Sequence, residues 1–573
     1  MTPVDDERRY RAVLRLPLAG PEGLEPLLAA LSDDSWRVRK AAVERLVSEV
    51  PAAEVIPRLV FALSDDESAS RRSAALEALV RLGEGALPAL REAAGGPDPE
   101  LRKFAVDALA AIGSPLGTDS ALSALDDPDP NVRLSAIEAL GRLGGAVAVR
   151  ALVGVLRQGA PEARGAALDA LWRSSAPVPF ALLAGPLGER RSRRAAVRAL
   201  GHCPEREALQ QIVGAMLDRA RGVRSAALAA WAVRERRTGP LDLPAVSADD
   251  AGRLFDLALE GLAAEDALAA EGAARVLGAL DRGEAAPALA QAAEREELRS
   301  ALKRSLARLG SRGLEHVGPL FPLLPAAGQA LVLEALREGV AAGAGASMAA
   351  SAQALALQWI GNAADEVVRL GAIALLGALA AGDAIGPLAE LLGEEPTISG
   401  AAEEALTSIA GQLPERLRAV CRAEVRSAGR APAEGLLRLL GRVGTREDAA
   451  WLAEVLEHES AAKPACAAAA LEALQELGAV NEVLVSAAAA SDHPVLAAAG
   501  IRAATAAGLW PVIHRHVAHP RWEVRCQVAA ALRAEAGPGA EALLREMLGR
   551  ETVPLAAEEE TAALLAVGGS PAA

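Results

Sequence analysis

The stretch Asp127–Gly144, DPDPNVRLSAIEALGRLG, contains the signals of one complete helix. Asp129 can accept hydrogen bonds from the open amides of a helix N-terminus, and Pro130 suits the first helical position. Apolar residues then recur every three or four positions as far as Leu140, and Gly144 suits a left-handed C-terminal cap. The stretch therefore predicts an amphipathic helix that begins at Pro130 and ends just before Gly144.

The same pattern returns about every 30 residues, with an arginine at one fixed slot. The slot arginines are Arg39, Arg72, Arg102, Arg133, Arg164, Arg193 and Arg224, followed later by Arg299, Arg369 and Arg525. A short amphipathic helix precedes each of these helices, as in residues 23–31, so the unit is an antiparallel helix pair. About 16 such pairs predict an all-α fold, a right-handed α-α superhelix in which each pair contacts only its neighbours.

The composition suits such a stack of helices. Apolar residues make up 51% of the 573 residues but aromatics only 2%, so the interior must be built from Ala and Leu. A β-rich fold and a disordered chain are thereby excluded. The net charge of −15 opposes general binding to nucleic acid or to an anionic membrane. The alanine excess and the scarcity of lysine indicate a GC-rich genome, which is typical of a bacterial protein.

Three features predict a cytoplasmic location. The four cysteines are far apart and form no CxxC pair, which fits a reducing compartment. The charged residues 5–9 do not resemble a secretory signal. The long uncharged stretch 340–364 consists mostly of Ala, Gly and Ser and contains Gln353 and Gln358, so we expect no membrane insertion.

The motif in Asp127–Gly144 resembles the HEAT-like repeats, and its short period is most similar to the phycobilisome-lyase subfamily of these repeats. The resemblance covers roughly residues 23–550 and is strongest up to about residue 235. It implies an armadillo-type superhelix. It also implies a ladder between adjacent repeats, in which each slot arginine binds an acidic residue near the preceding turn. The available acids are Asp34, Asp66, Asp98 and Asp129.

The repeat register predicts the organisation of the chain. We expect an N-terminal capping segment at 1–22, regular repeats at 23–235, repeats of loosened register at 236–298, regular repeats at 299–339, a Gly/Ala-rich break and helix at 340–362, regular repeats at 363–550, and a C-terminal cap and tail at 551–573. The sequence Glu558-Glu559-Glu560 indicates a polar end, so a monomeric solenoid is expected rather than a polymer.

An acidic stripe lies five residues after the slot on five successive second helices. Its members are Glu44, Glu77, Asp107, Glu138 and Asp169. One interpretation is a recognition surface for a partner. The alternative is pairing within each helix, since Glu77–Arg81, Glu138–Arg142 and Asp169–Arg173 have the favourable spacing of four residues.

A basic segment follows the acidic stripe. Residues 189–237 contain twelve arginines against five acids, and residues 242–271 contain eight acids against one arginine. The candidate partner-binding residues here are Arg190, Arg191, Arg193, Arg194 and Arg198, which would suit an acidic or phosphorylated protein. The alternative is two oppositely charged faces that neutralise each other.

Two tryptophans, Trp36 and Trp522, occupy the same early position of their helices and are candidate anchors for a partner, with packing at the turn as the alternative. Trp231 replaces a repeat leucine and is expected in the core. Four histidines, His493, His514, His516 and His519, lie near the C-terminus. His514 and His516 point apart on a helix, so no metal site is expected.

The sequence contains none of the common catalytic motifs that we sought: GxSxG, GxxxxGK[ST] and HExxH are all absent. We therefore expect a non-catalytic scaffold or regulatory adaptor that binds other proteins along its concave face, with no catalytic, cofactor-binding or metal-binding residues. One alternative is a lyase or cofactor-handling enzyme of the phycobilin-lyase type. A second is nucleic-acid binding through the Arg-rich segment 190–237, although few aromatics lie there to stack on bases.

Overall fold

A computed structural model describes residues 3–17, 21–65, 67–343, 345–361, 365–427, 434–535 and 537–567. Every regular element within these ranges is helical, as the sequence predicts. The chain forms two compact units, residues 1–281 and 282–573, which we call the N-terminal and C-terminal units. No helix in the described ranges is both long and apolar enough to cross a bilayer.

The N-terminal unit contains helices α1 to α17. In chain order they are Pro3–Arg15, Pro21–Ala30, Trp36–Glu49, Ala52–Ala62, Ala69–Leu82, Leu87–Ala94, Pro99–Ile112, Thr118–Ser123, Pro130–Leu143, Gly145–Gln158, Pro161–Arg173, Phe180–Gly188, Arg193–Ala199, Glu207–Met216, Arg221–Thr238, Ala248–Gly261 and Ala267–Ala279. Helix α1 precedes eight antiparallel pairs, α2–α3 through α16–α17, and the second helices α3, α5, α7 and onward lie side by side.

The C-terminal unit contains helices α18 to α34. In chain order they are Ala286–Gln291, Arg299–Val317, Ala326–Ala341, Ala346–Trp359, Glu366–Ala378, Ile385–Glu390, Pro396–Ala410, Pro414–Ser427, Glu434–Val443, Arg446–Ala462, Pro464–Glu476, Glu482–Ala489, Pro494–Ala506, Trp510–His514, Trp522–Glu535, Pro538–Arg550 and Pro554–Ala566. Helix α19 breaks at Gly310, whose φ of 51° is left-handed, so its two halves belong to successive pairs.

Each pair is held by the apolar residues that the repeat predicts. The leucines seven residues after the slot are buried in the N-terminal unit: Leu46, Leu79, Leu109, Leu140, Leu171 and Leu200. Trp231, which replaces the next of them, is also fully buried, as expected from its position. Short Ala and Leu side chains let the helices approach closely and fill the space between them.

The closest helix packing in the N-terminal unit involves glycine. A Cβ built at Gly272 in α17 would overlap the carbonyl group of Leu228 in α15. A Cβ built at Gly141 in α9 would lie 2.6 Å from the Cβ of Ala170 in α11. The second helices therefore touch through their backbones at these points, which a larger side chain would prevent.

Helix starts follow the predicted chemistry. The Asp98 carboxylate accepts from the amide of Glu100 before α7, and the Asp129 carboxylate accepts from Asn131 and Val132 before α9. Both helices begin with proline, Pro99 and Pro130. The first helices α8, α18 and α23 have only six residues each, and each continues into a turn of 3₁₀-helix that tightens the connection.

Candidate partner-binding surfaces

A ladder of arginines and acids connects successive repeats. Arg102 donates from Nη1 to the carbonyls of Gly96 and Pro97, at 3.1 and 2.9 Å, in the turn before its own helix. Its Nε and Nη2 reach the carboxylate of Asp127 in the next turn. The carbonyl of Asp127 in turn accepts from Arg133 Nη1 at 2.7 Å. One acidic residue thus joins two slot arginines.

The same spacing recurs along both units. The ion pairs that span 24 to 26 residues are Arg9–Asp33, Arg102–Asp127, Arg164–Glu189, Arg193–Asp218, Arg369–Glu394, Arg422–Asp448 and Arg525–Glu551. The guanidinium of Arg525 lowers the pKa of Glu551 to about 2. Most of these arginines are partly shielded from water, which makes the pairs stronger than solvated ones.

The acids of the ladder differ from those that the sequence indicated. Asp98 and Asp129 place their carboxylates on the amides of α7 and α9. Asp34 accepts from Arg39 through its backbone carbonyl, and Asp66 lies outside the described residues. The reason is local: the acid directly before the first helical residue, such as Asp129, faces the open helix amides, whereas the acid two positions earlier, such as Asp127, faces the arginine of the preceding repeat.

The acidic stripe lies on α3, α5, α7, α9 and α11, on the face that we call the acidic face. Glu44 accepts from Arg81 of the next second helix, with both oxygen distances 3.3 Å. Asp107 is half-buried; burial raises its pKa, and a hydrogen bond with Ser135 opposes that rise. The acidic side chains thus face the neighbouring second helix as well as solvent.

The predicted pairs within single helices do not form on the acidic face. Arg81 binds Glu44 instead of Glu77. Glu77, Glu138 and Asp169 form no ion pair among the described residues. The side chains of Glu77 and Glu138 are exposed to solvent, and that of Asp169 is half-buried. Three carboxylates, on α5, α9 and α11, therefore remain without an ion pair.

Trp36 lies at one end of this acidic face and is 63% exposed, so the packing alternative does not hold for it. Its ring lies 6.0 Å from the Lys40 ammonium. A groove of about 370 Å³ between α3 and α5 is lined by Trp36, Val43, Ala74 and Glu77, among others. Trp522 is 36% exposed at the start of α32, so most of its surface is packed against the protein.

The arginine segment separates into paired and unpaired members. Arg191 binds Glu162, and Arg193 Nη2 lies 2.7 Å from Asp218 Oδ2. Arg198 lies 3.5 Å from Asp266. Arg190 and Arg194 are exposed and form no ion pair among the described residues.

Some of the arginines before residue 238 form ion pairs with the acids that follow it. Arg198 crosses to Asp266, and Arg236 crosses to Glu271. Arg275 binds both Glu271 and Glu235, with all three side chains less than a tenth exposed. The alternative of two self-neutralising faces thus describes these residues, but not Arg190 and Arg194.

A buried carboxylate occupies the end that the sequence predicted to be polar. Glu558 and Glu559 are exposed, but Glu560 is completely buried, and neither of its oxygens has a protein hydrogen-bond partner by geometry. Burial and the nearby Glu551 raise the pKa of Glu560 to about 7. The signal was present in the sequence: one helical turn separates Glu560 from the buried Ala556 and Leu564.

The C-terminal histidines are engaged separately. His514 Nε2 lies 2.8 Å from Glu535, His516 Nδ1 lies 2.7 Å from the Val512 carbonyl, and burial lowers the pKa of His519. His493 precedes α30. Within the described ranges, no group of three His, Cys, Asp or Glu side chains converges as metal ligands do.

The family model for HEAT repeats matches residues 4–80 and 83–172. No curated protein matches the chain. A crystal structure of importin beta is 14% identical over 100% of this chain and 86% of its own, with a TM-score of 0.40. A structure of Kap95p with RanGDP is 12% identical over 97% and 82%, with a TM-score of 0.41. An engineered protein is 18% identical over 70% and 98%, with a TM-score of 0.31.

Because these TM-scores are low, the structural neighbours carry no conclusion for this chain. The family match and the stacked helix pairs do not distinguish the lyase-type subclass, which stays a prediction. They agree on the broader family: the chain contains HEAT repeats, which the family model matches over residues 4–80 and 83–172.

Proposed function

We propose that the protein is a non-catalytic cytoplasmic scaffold that binds a protein partner on the acidic face. The observation that supports it is the set of unpaired carboxylates Glu77, Glu138 and Asp169 on α5, α9 and α11, with the exposed Trp36 lining a groove together with Glu77. Solvated charges contribute little to stability, so fold maintenance gives no reason for this arrangement. Tryptophan is one of the residue types that are enriched in binding hot spots.

The repeat architecture supports the same proposal. Each helix pair contacts its neighbours, so a stack presents an extended surface without needing a central pocket. All four cysteines are free thiols, which fits a reducing compartment. The acidic or phosphorylated partner that the sequence suggests would bind the arginines of residues 190–198, not the acidic face.

The test is affinity capture from the native cell lysate with the full chain and two variants. The face variant carries Glu77→Lys, Glu138→Lys and Asp169→Lys. The control carries Glu92→Lys, Asp256→Lys and Glu260→Lys, which makes the same charge change on exposed residues of the first helices α6 and α16. Circular dichroism confirms that both variants fold.

We expect one protein, identified by mass spectrometry, to bind the intact chain and the control and to be lost from the face variant. Binding that the face variant retains would overturn the proposal. So would a co-purified chromophore, recognised by visible absorbance, or nucleic acid in place of a protein; these outcomes favour the lyase-type and nucleic-acid alternatives respectively.

A further inference from the structure

Four exposed arginines on two consecutive turns form a second charged surface, which we call the arginine edge. It consists of Arg190 and Arg194 around the start of α13, and Arg219 and Arg221 around the start of α15. None of the four forms an ion pair among the described residues of the N-terminal unit. The edge is separate from the acidic face, which ends at α11.

The two turns are in direct contact. Arg193, adjacent to Arg194, reaches across to Asp218, the residue before Arg219, at 2.7 Å. A Cβ built at Gly222 would lie 3.6 Å from Cδ of Arg194, so the Arg194 side chain extends along the start of α15. The four guanidinium groups therefore belong to one surface.

The acids near this surface are already bound to other groups. Glu162 binds Arg191, and Glu189 binds Arg164 and the Ser192 hydroxyl. Asp218 binds Arg193 through its carboxylate and Arg224 through its carbonyl. The ladder thus uses the local carboxylates and leaves the edge with uncompensated positive charge in a chain of net charge −15.

We propose that the arginine edge binds an extended segment of an acidic protein whose Asp or Glu side chains lie three residues apart. Adjacent packed helices are about 8–10 Å apart. In an extended segment of polyproline II conformation, three residues make one turn and span about 9 Å, so carboxylates at every third position lie on one face and meet successive turns of the edge. A guanidinium group can bind a carboxylate through two hydrogen bonds, as Arg102 binds Asp127 in the ladder.

Carboxylates suit the edge better than a nucleic acid does. Residues 189–237 contain two aromatic rings, those of His202 and Trp231, and both are buried and cannot stack on a base. The inference rests on the proposed function in treating the chain as a protein-binding scaffold, but it uses a different surface.

Fluorescence anisotropy with the full chain tests the proposal. One labelled peptide carries three Glu residues at every third position in a Gly/Ser background, and a second has the same composition with the three Glu residues adjacent. A labelled single-stranded oligonucleotide of equal charge is the third probe. Measurements at low and at physiological salt report the electrostatic contribution.

Two variants are compared with the intact chain. The edge variant carries Arg190→Glu and Arg221→Glu. The control carries Arg142→Glu and Arg173→Glu, two exposed arginines at the ends of α9 and α11 that form no ion pair among the described residues. Thermal unfolding verifies that both fold.

We expect the spaced peptide to bind about tenfold more tightly than the adjacent one, and the edge variant to lose at least about tenfold in affinity while the control retains it. Equal binding of the two peptides, no binding of either, an equal loss in the control, or tighter binding of the oligonucleotide would each overturn the proposal. The proposed function has its own test: it fails if the face variant, with Glu77, Glu138 and Asp169 replaced by lysine, still binds the partner in the capture experiment.

Discussion

Arg102 donates from Nε and Nη2 to the two carboxylate oxygens of Asp127, at 2.8 and 2.9 Å, across the boundary between two repeats. Both side chains are largely shielded from water. The guanidinium of Arg102 also lowers the pKa of Asp127, so this pair contributes stability at neutral pH that is lost as the pH falls through that lowered pKa.

Replacing this carboxylate tests the ladder. We expect Asp127→Asn to reduce the free energy of unfolding by about 2 kcal/mol, because Arg102 would keep its charge in a shielded place without a counter-ion. Urea unfolding at pH 7 measures the loss. Asp126→Asn, at the exposed neighbouring residue, is the control and should change stability by less than about 0.5 kcal/mol. Equal effects of the two variants would refute the ladder.

Glu560 should make the docking of α34 depend on pH. Its pKa is raised to about 7 from an ordinary 4.5, so the neutral carboxyl is the form that the folded state prefers. Its contribution is fully present below pH 4.5 and declines by up to about 3 kcal/mol as the pH rises to about 7. Hydrogen exchange of α34 amides between pH 5 and 8 measures this slope, after correction for the intrinsic exchange rates.

Glu560→Gln should remove that slope and slow the exchange of α34 at pH 8, because the amide is uncharged at every pH used. Glu559→Gln alters an exposed residue of the same helix and is the control. A slope that persists unchanged in Glu560→Gln would show that another group titrates. The groups that face Glu560 are Glu551 and Arg525, which bind each other.

The contact between α15 and α17 should not tolerate a methyl group. Gly272→Ala places its Cβ on the backbone of Leu228, so we expect a loss of about 3 kcal/mol or more in the free energy of unfolding. Gly252→Ala, in α16, meets nothing within 4 Å and should instead stabilise the helix by up to about 1 kcal/mol. Denaturant unfolding compares the two; opposite signs are the expected result, and a tolerated Gly272→Ala would contradict the close packing.

Two thiols should be inert in the folded protein. Burial raises the pKa of Cys203 and of Cys421 to about 12, so almost no thiolate forms at pH 7. We expect a maleimide to leave both unlabelled in the native chain and to label both in denaturant, as peptide mass mapping would show. Rapid native labelling of either thiol would mean that its helix pair opens readily.

The helix starts could be predicted from sequence because their signals act locally. Pro99 and Pro130 begin α7 and α9, and Asp98 and Asp129 cap them, as the motif indicates. The ladder acids could not be assigned in the same way. Asp127 and Asp129 are alike in sequence, and the path of the turn determines which carboxylate faces the helix amides and which faces the preceding repeat.

The sequence predicts where the charged residues lie on the helices, but it does not predict which of them form ion pairs. The residues of the stripe lie on adjacent second helices, as their spacing requires. Whether each acidic residue forms an ion pair depends on long side chains that can reach several partners. Arg81, for example, binds Glu44 and not Glu77. The same holds for the arginines, of which Arg193 joins the ladder while its neighbour Arg194 does not.

Like Arg39 and Arg72, whose side chains donate to carbonyls of their own turns, Arg133 interrupts the ladder: among the described residues it forms no ion pair and donates to the carbonyls of Asp127 and Pro128. The position 25 residues later holds Gln158, which carries no charge. In a linear array, cooperativity passes from one repeat to the next through the interface between them. The interface between α9 and α11 lacks this rung, as do those between α3 and α5 and between α5 and α7. A chain unfolded by mechanical force from one end should therefore pause at these interfaces, with the repeats on one side extended and those on the other still folded.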